Sequence, residues 1–239
     1  MTDKHDIGND LISKYFLIHI LHAELQQCGG DFKNALAEGN RQILYITTDT
    51  FVRRGSEMFY EADQTLRSSL EELMKTIMEW EKCKTPPDNF DSLIRCLTEC
   101  RLTTGIVGAI NEYLKEINAT NFEKKVYNLI KAIEHLSPSY VLDALHKRLE
   151  NKIIEEIYKY INELTRNSES KEVSTSYPEK IEKGIHEINR IFQEASKDVK
   201  EPIKLLLEDP EKNIKQFYAT IGISEDYRDN RRYFDLYKN

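Results

Sequence analysis

Five of the six prolines in this chain lie where a helix is expected to begin. Proline suits the first helical position, because its missing N–H needs no partner there and its fixed φ already matches the helix. Only 9 of the 239 residues are glycine, so tight turns are few and long helices are favoured over a many-stranded β fold. The chain is therefore divided into successive helices at Pro86, Pro87, Pro138, Pro178 and Pro210.

Two segments carry apolar residues at alternating spacings of three and four, which indicates helices that pack lengthwise on a partner. In residues 56–84 this seam consists of Phe59, Ala62, Leu66, Leu70, Leu73, Ile77 and Trp80. In residues 138–166 it consists of Val141, Leu142, Leu145, Leu149, Ile153, Ile157, Tyr160, Ile161 and Leu164. Such seams are typical of bundle packing, and an exposed one would support a homodimer.

Other segments complete a prediction of eight to ten helices. In the segment 88–118, Gly105 and Gly108 would kink the helix, break it, or let a neighbouring backbone approach closely. Ser137 is expected to cap the helix that Pro138 opens, and Pro202 to kink or end the helix that begins at Pro178. The remaining predicted helices are 10–28, 31–39, 121–136, 210–222 and 224–237.

Residues 42–52 are ambiguous between a helix and a strand. The stretch from Ile43 to Thr48 is rich in β-branched residues, which favours a strand. A lone strand would leave its backbone groups without partners, and the sequence contains no second candidate strand nearby. We therefore predict a helix here.

The predicted fold is all-α, a multi-helix bundle or irregular helical array with long antiparallel amphipathic helices. Residues 1–166 form its bundle core. Residues 167–177 contain no core-forming run and are expected to be an exposed linker. Residues 178–239 form a C-terminal helical segment, either packed on the core or a small separate unit.

Charge and targeting signals point to a soluble protein in the cytoplasm, or in a host cytosol if the protein is an effector. The formal net charge of −7 is spread along the chain, with no basic half to suit a polyanion. The N-terminal residues do not resemble a signal peptide, and the apolar stretch 15–21 is too short to span a membrane. No membrane insertion is expected.

Histidines and acids on two predicted helices are the candidate metal ligands. If the helices meet, they could supply zinc or iron ligands. The chain lacks the paired Glu-x-x-His motifs of di-iron bundles, so the sequence favours boundary histidines and a solvated charged face instead. No cofactor is implied. The five candidates are His19, His22, Asp143, His146 and Glu150.

Two further patterns suggest chemistry only weakly. Cys96 and Cys100 lie one helical turn apart, too far for an easy disulfide, and are interpreted as packing residues rather than a redox or metal pair. The carboxylate pairs 71–72 and 155–156 resemble those that hold magnesium in some all-helical hydrolases. Such a site requires several acids to converge, whereas these look solvated.

The C-terminal residues combine arginines with aromatics, a mixture enriched at protein interfaces and also able to stack on single-stranded nucleic acid. Four acidic residues between positions 225 and 235 offset the arginines, which argues against a polyanion. The patch is expected to dock on its own fold or on a partner. Its members are Tyr227, Arg228, Arg231, Arg232, Tyr233, Phe234 and Tyr237.

The sequence favours a non-enzymatic protein–protein interaction module, such as an adaptor, regulator or effector. Long amphipathic helices without a catalytic motif motivate this hypothesis. The alternative is an all-helical metal-dependent hydrolase that uses dispersed Asp, Glu and His residues. A second alternative is a nucleic-acid-binding protein. The identity of the partner does not follow from the sequence.

Overall fold

The computed structural model describes residues 16–27, 41–169 and 177–224, and the regular structure in these ranges is helical. The predicted all-α architecture is confirmed. In the described ranges, no helix combines the length and apolar character needed to cross a membrane. The helices are α1 (Phe16–Gln27), α2 (Arg41–Cys83), α3 (Phe90–Lys115), α4 (Phe122–Leu136), α5 (Ser139–Glu169), α6 (Tyr177–Glu208) and α7 (Pro210–Thr220).

Helix α2 is a single helix of 43 residues and includes the ambiguous segment 42–52, whose prediction as helix is confirmed. The two helices predicted on either side of Gly55 are thus one. A Cβ at Gly55 would lie 3.6 Å from Cγ1 of Val107, so this glycine faces α3 instead of breaking α2. The chain leaves α2 at Lys84, which has a positive φ of 56°.

Helix α3 lies at the centre of the fold and packs against α2, α5 and α6. Sixteen of its 26 residues are buried, including every position from 102 to 107. A helix that is buried on several sides must be apolar nearly all round. Thr103 and Thr104 satisfy their buried hydroxyls by donating to the backbone carbonyls of Glu99 and Arg101.

The two glycines of α3 allow α6 to approach closely. A Cβ at Gly105 would lie 3.2 Å from Cγ1 of Val199, and one at Gly108 would lie 3.1 Å from Cε of Lys200. Helix α3 continues through both positions. A break is therefore wrong, the close neighbours observed at both glycines are side chains of α6, and a kink stays a prediction.

Helices α2 and α3 are antiparallel. Gly55, near the start of α2, lies beside Val107 in the second half of α3. At the other end, the rings of Trp80 and Phe90 are 4.9 Å apart in an edge-to-face arrangement. The short connection over residues 84–89 therefore reverses the chain, as in a helical hairpin.

Helix α6, in contrast, runs parallel to α3. Arg101 contacts Asn189, and eleven residues further along α3 Glu112 contacts Lys200 and Lys204. The long connection through α4 and α5 makes this parallel pairing feasible. One hydrophobic core joins side chains from α1 to α7, so α6 and α7 pack within the same core as the earlier helices.

Both predicted heptad-like seams are buried in this core along most of their length. Leu73 and Ile77 on α2 and Ile153 and Ile157 on α5 have no exposed surface. Phe59, at the beginning of the first seam, is 36% exposed, and the seam residues Trp80, Tyr160 and Leu164 are half-buried.

Two prolines start helices as predicted. Pro210 is the first residue of α7, and the Asp209 side chain accepts a hydrogen bond from the backbone N of Lys212 at 3.2 Å. Pro178 is the second residue of α6. These positions agree with the preference of proline for the first helical turn.

The other predicted starts are displaced by a few residues. Pro87 precedes α3 by a turn, and its carbonyl accepts from the backbone N of Phe90 at 3.0 Å. Pro138 directly precedes α5. The prediction that Ser137 caps α5 is wrong, because its hydroxyl donates to the carbonyl of Glu134 and so completes the end of α4.

Helix α6 does not end at Pro202, so that part of the prediction is wrong, while a bend there stays a prediction. An interior proline costs about 3 kcal/mol. Val199, Ile203 and Leu206 are fully buried around it, and burial of each such side chain contributes about 1.5–3 kcal/mol, which outweighs that cost.

The predicted linker is shorter than expected. Residues 167–169 belong to α5 and Tyr177 belongs to α6, so α5 extends three residues beyond its expected end. The rest of that linker and the helices predicted at 31–39 and 224–237 lie outside the described residues, apart from Ser224. Residues 1–15 also lie outside them.

Replacement of Gly222 by alanine is expected to lower the free energy of unfolding by about 1–2 kcal/mol. Gly222 follows α7 with a φ of 81°, where a Cβ is strained even though the surrounding space is open. Urea denaturation measures the change. Gly55→Ala is the control, because a Cβ there would make only ordinary van der Waals contacts. Alanine is also a better helix former than glycine, so no loss of stability is expected. Equal stability of Gly222→Ala and the unmodified protein would contradict the prediction.

Candidate functional site

A cleft of about 350 Å³ opens where α2, α3 and α6 meet. Four cationic side chains and one carboxylate line it, together with an exposed phenylalanine. The cleft has the size and mixed polar and apolar lining of a binding site. We call it the basic cleft, and its defining residues are Phe59, Arg101, Glu112, Lys197, Lys200 and Lys204.

The fold builds this cleft from the close packing of α3 and α6. Lys197, Lys200 and Lys204 are spaced by three and four residues, so they project from one face of α6. Gly105 and Gly108 remove the side chains that would hold this face away from α3. The lysines consequently lie alongside Arg101, although 96 residues or more separate them in the sequence.

Arg101 is a half-buried cation without a carboxylate at contact distance among the described residues. Its Nη2 donates to Oδ1 of Asn189 at the long distance of 3.5 Å, and its buried Nε has no hydrogen-bond partner. Burial lowers the pKa of Arg101, and the more distant charge of Asp63 opposes this. Asp63 itself is paired with Arg67 at 2.9 Å.

The three lysines are only partly neutralised. Lys204 lies 2.6 Å and Lys200 3.5 Å from the carboxylate of Glu112, and both hold the pKa of Glu112 below its ordinary value. Lys197 is paired with Glu194 at 2.8 Å. Two carboxylates thus contact three lysines, and Arg101 adds a further charge. Among the side chains that line the cleft, cations therefore outnumber carboxylates.

Phe59 of α2 lines the cleft, and we call it, together with its exposed sequence neighbour Tyr60, the aromatic ledge. Phe59 is 36% exposed and Tyr60 is 65% exposed. The Phe59 ring reaches within 4.0 Å of the position that a Cβ at Gly108 would occupy. Apolar and cationic groups therefore lie side by side, an arrangement able to hold a ligand that carries both an apolar and an anionic group.

The candidate metal ligands occupy separate elements. His19 is exposed and His22 half-buried on α1, while Asp143, His146 and Glu150 lie on α5. Within the described ranges, no three His, Cys, Asp or Glu side chains form a group able to hold a metal ion. Helix α1 packs against α2 and α4.

His146 nevertheless has an unusual environment, because its Nε2 is buried without a hydrogen-bond partner. Burial lowers the pKa of His146, and the positive charge of Arg95 adds to this effect. Glu150 and Asp143 act in the opposite direction. The folded protein therefore favours the neutral imidazole.

This arrangement predicts a loss of stability as the pH falls below about 6.5, the ordinary pKa of histidine. Below that pH, His146 is protonated in the unfolded chain but stays neutral in the folded protein. This difference persists until the pH falls below the lowered pKa of His146 in the folded protein. Denaturation of the unmodified protein and of His146→Gln between about pH 7.5 and pH 5 measures this. The variant should lose less stability over that range. Parallel stability profiles of the two proteins against pH would contradict the prediction. The raised pKa of Glu99 has the opposite effect on stability, but it is present in both proteins and does not affect the comparison.

The cysteine pair and the two carboxylate pairs have explanations within their own helices. The neighbouring Cys96 thiol, followed by burial, raises the pKa of Cys100. Lys159 lies 2.7 Å from Glu155 and 2.9 Å from Glu156, so this carboxylate pair is bound by a lysine of its own helix. The pair 71–72 is exposed on α2.

The sequence-based site prediction did not include the basic cleft. Its signal is present in the lysine spacing on α6 and in the two glycines of α3, but each has a common structural interpretation. The predicted partner-binding patch, from Tyr227 to Tyr237, lies outside the described residues. Comparison of the chain with protein-family models, with curated proteins and with solved structures finds no match.

Proposed function

We propose that the protein is a non-enzymatic interaction module, of the adaptor, regulator or effector kind, that binds an acidic segment of a partner protein in the basic cleft. It would act in the cytoplasm, the compartment expected from the sequence. The observation that carries this proposal is the aromatic ledge beside incompletely neutralised cations.

The composition of the site supports a protein partner. Tyrosine and arginine are enriched among the residues that dominate binding energy at protein interfaces. Tyr60 exposes most of its side chain to solvent, and Phe59 exposes more than a third. Burial of these rings against an apolar side chain of the partner would supply affinity.

The charge distribution supports an acidic segment. The whole protein carries a formal charge of −7, so an acidic peptide is repelled by the net charge and attracted only by a local positive field. The basic cleft provides such a field. Electrostatic complementarity of this kind contributes mainly to specificity and to the association rate.

Reversal of two cleft charges is expected to weaken binding of an acidic, aromatic-containing peptide by roughly 10-fold or more. The variant is Lys197→Glu/Lys200→Glu, and binding is measured by fluorescence anisotropy on synthetic peptides graded in net charge. The loss should be smaller at high salt, because screening already removes much of the attraction.

Two comparisons make this test specific. Lys147→Glu/Lys124→Glu changes the same number of charges on exposed positions of α5 and α4, and it should leave the affinity nearly unchanged. The proposal fails if both double variants weaken binding equally. It also fails if basic peptides bind the unmodified protein as well as acidic ones do.

A further inference from the structure

We propose that Arg101 is a preformed seat for one oxyanion, a carboxylate or a phosphate, inside the basic cleft. This inference rests on the proposed function, because it names the group by which the partner would be recognised. The cleft lining, the unpartnered Nε and the single long contact to Asn189 together carry it.

The environment of Arg101 differs from that of the paired arginines in the described ranges. Arg67, Arg95 and Arg190 are exposed, and each contacts a carboxylate of its own helix. Arg101 is withdrawn further from solvent, yet it has no contact carboxylate there. A desolvated cation without a paired charge is costly, so an entering oxyanion gains a strong partner.

The geometry of the guanidinium group matches such a ligand. Its two terminal nitrogens can donate two parallel hydrogen bonds to a carboxylate or phosphate, which a lysine cannot do, while the buried Nε reports only that the cation is desolvated. The contact to Asn189 holds one terminal nitrogen on the α6 side. Lys197 and Lys200, on the same face of α6, are placed to contact the remaining oxygens of the ligand or an adjacent acidic group.

Hydroxyl groups in the cleft cannot replace these cations. Thr104 donates its proton to the carbonyl of Arg101, and Ser196 donates to the carbonyl of Gln193 at 2.6 Å. Their protons are therefore already used by the backbone. The cleft volume of about 350 Å³ accommodates one acidic or phosphorylated side chain with its neighbours.

The test uses the whole 239-residue chain, with inorganic phosphate, an acidic peptide and its phosphoserine-containing counterpart as probes. Titration is followed through the Arg Nε–H signals in ¹H–¹⁵N NMR spectra. The Arg101 signal should shift on addition of at least one probe. If no probe moves this signal at saturating concentration, the seat does not exist.

Arg101→Lys keeps the positive charge but removes the planar guanidinium group. This substitution should weaken binding of the tightest-binding probe by roughly 10-fold or more. Thermal denaturation checks that the variant is folded. If it does not fold, the NMR titration of the unmodified protein still decides. Unchanged affinity of a folded Arg101→Lys protein would overturn the seat.

The outcomes separate this inference from the proposed function. If Arg101→Lys binds the acidic peptide normally while Lys197→Glu/Lys200→Glu does not, the seat is wrong and the interaction module stands. If only a single-stranded oligonucleotide binds, and does so through Arg101, the seat stands and the protein partner is wrong. A preference for the phosphoserine peptide over the acidic one identifies phosphate as the anion, and the reverse identifies carboxylate.

Discussion

Replacement of Phe192 by alanine is expected to lower the free energy of unfolding by about 3–5 kcal/mol. Phe192 lies on α6, has no exposed surface and belongs to the core that joins α6 to the earlier helices. Its removal forfeits the burial of a large ring and leaves a cavity that the neighbouring helices fill only in part. Chemical denaturation monitored by circular dichroism measures the loss.

Phe59→Ala is the matched control, because the same substitution is made at a ring that is 36% exposed. Its effect on stability should stay below about 1 kcal/mol, whereas binding of the acidic peptide should weaken. Comparable destabilisation by the two variants would mean that the aromatic ledge is part of the core and not a binding surface.

Gly105→Val is expected to have the second-largest effect, a loss of about 1–3 kcal/mol together with weaker peptide binding. Even a Cβ at position 105 would lie 3.2 Å from Cγ1 of Val199, so the additional methyl groups force α3 and α6 apart. The basic cleft is built by this approach, and its cations would be displaced with α6. Denaturation and fluorescence anisotropy measure the two consequences.

Val199→Ala should relieve the strain, because it removes the atom that a side chain at position 105 meets first. The stability lost on Gly105→Val should therefore be smaller in the Val199→Ala background, giving a positive coupling in a double-mutant cycle. Strictly additive effects of the two substitutions would contradict the close approach of α3 and α6.

Secondary structure was largely predictable, because it depends on local patterns. The helix predicted over residues 121–136 agrees with α4 (Phe122–Leu136) to within one residue, since its apolar period and its flanking turn are both encoded nearby. Residues 42–52 follow the same rule, and the absence of a candidate partner strand in the sequence outweighed their β-branched composition.

Features that depend on tertiary contacts were not predictable in the same way. The sequence allowed three roles for Gly105 and Gly108, and the close approach is evident only from the packing of α6. Pro202 is likewise tolerated inside α6 because its apolar neighbours are buried. Local propensity contains no information about either neighbour, and tertiary packing overrides it.

The candidate site depends on a long-range arrangement. The face formed by Lys197, Lys200 and Lys204 is readable from spacing alone, but on a helix such a charged face is usually only solvated. Its convergence with Arg101 requires α3 and α6 to run parallel through close packing at the glycines. Sequence patterning does not specify which helices become neighbours.

NMR mapping of the bound acidic peptide shows whether the basic cleft is the binding face. We expect backbone amide shifts on titration to concentrate at residues 59–63 of α2, 101–112 of α3 and 193–204 of α6, and Lys197→Glu/Lys200→Glu to abolish them. Shifts that concentrate instead around Tyr158 on α5, or that persist in the charge-reversed variant, would contradict this expectation.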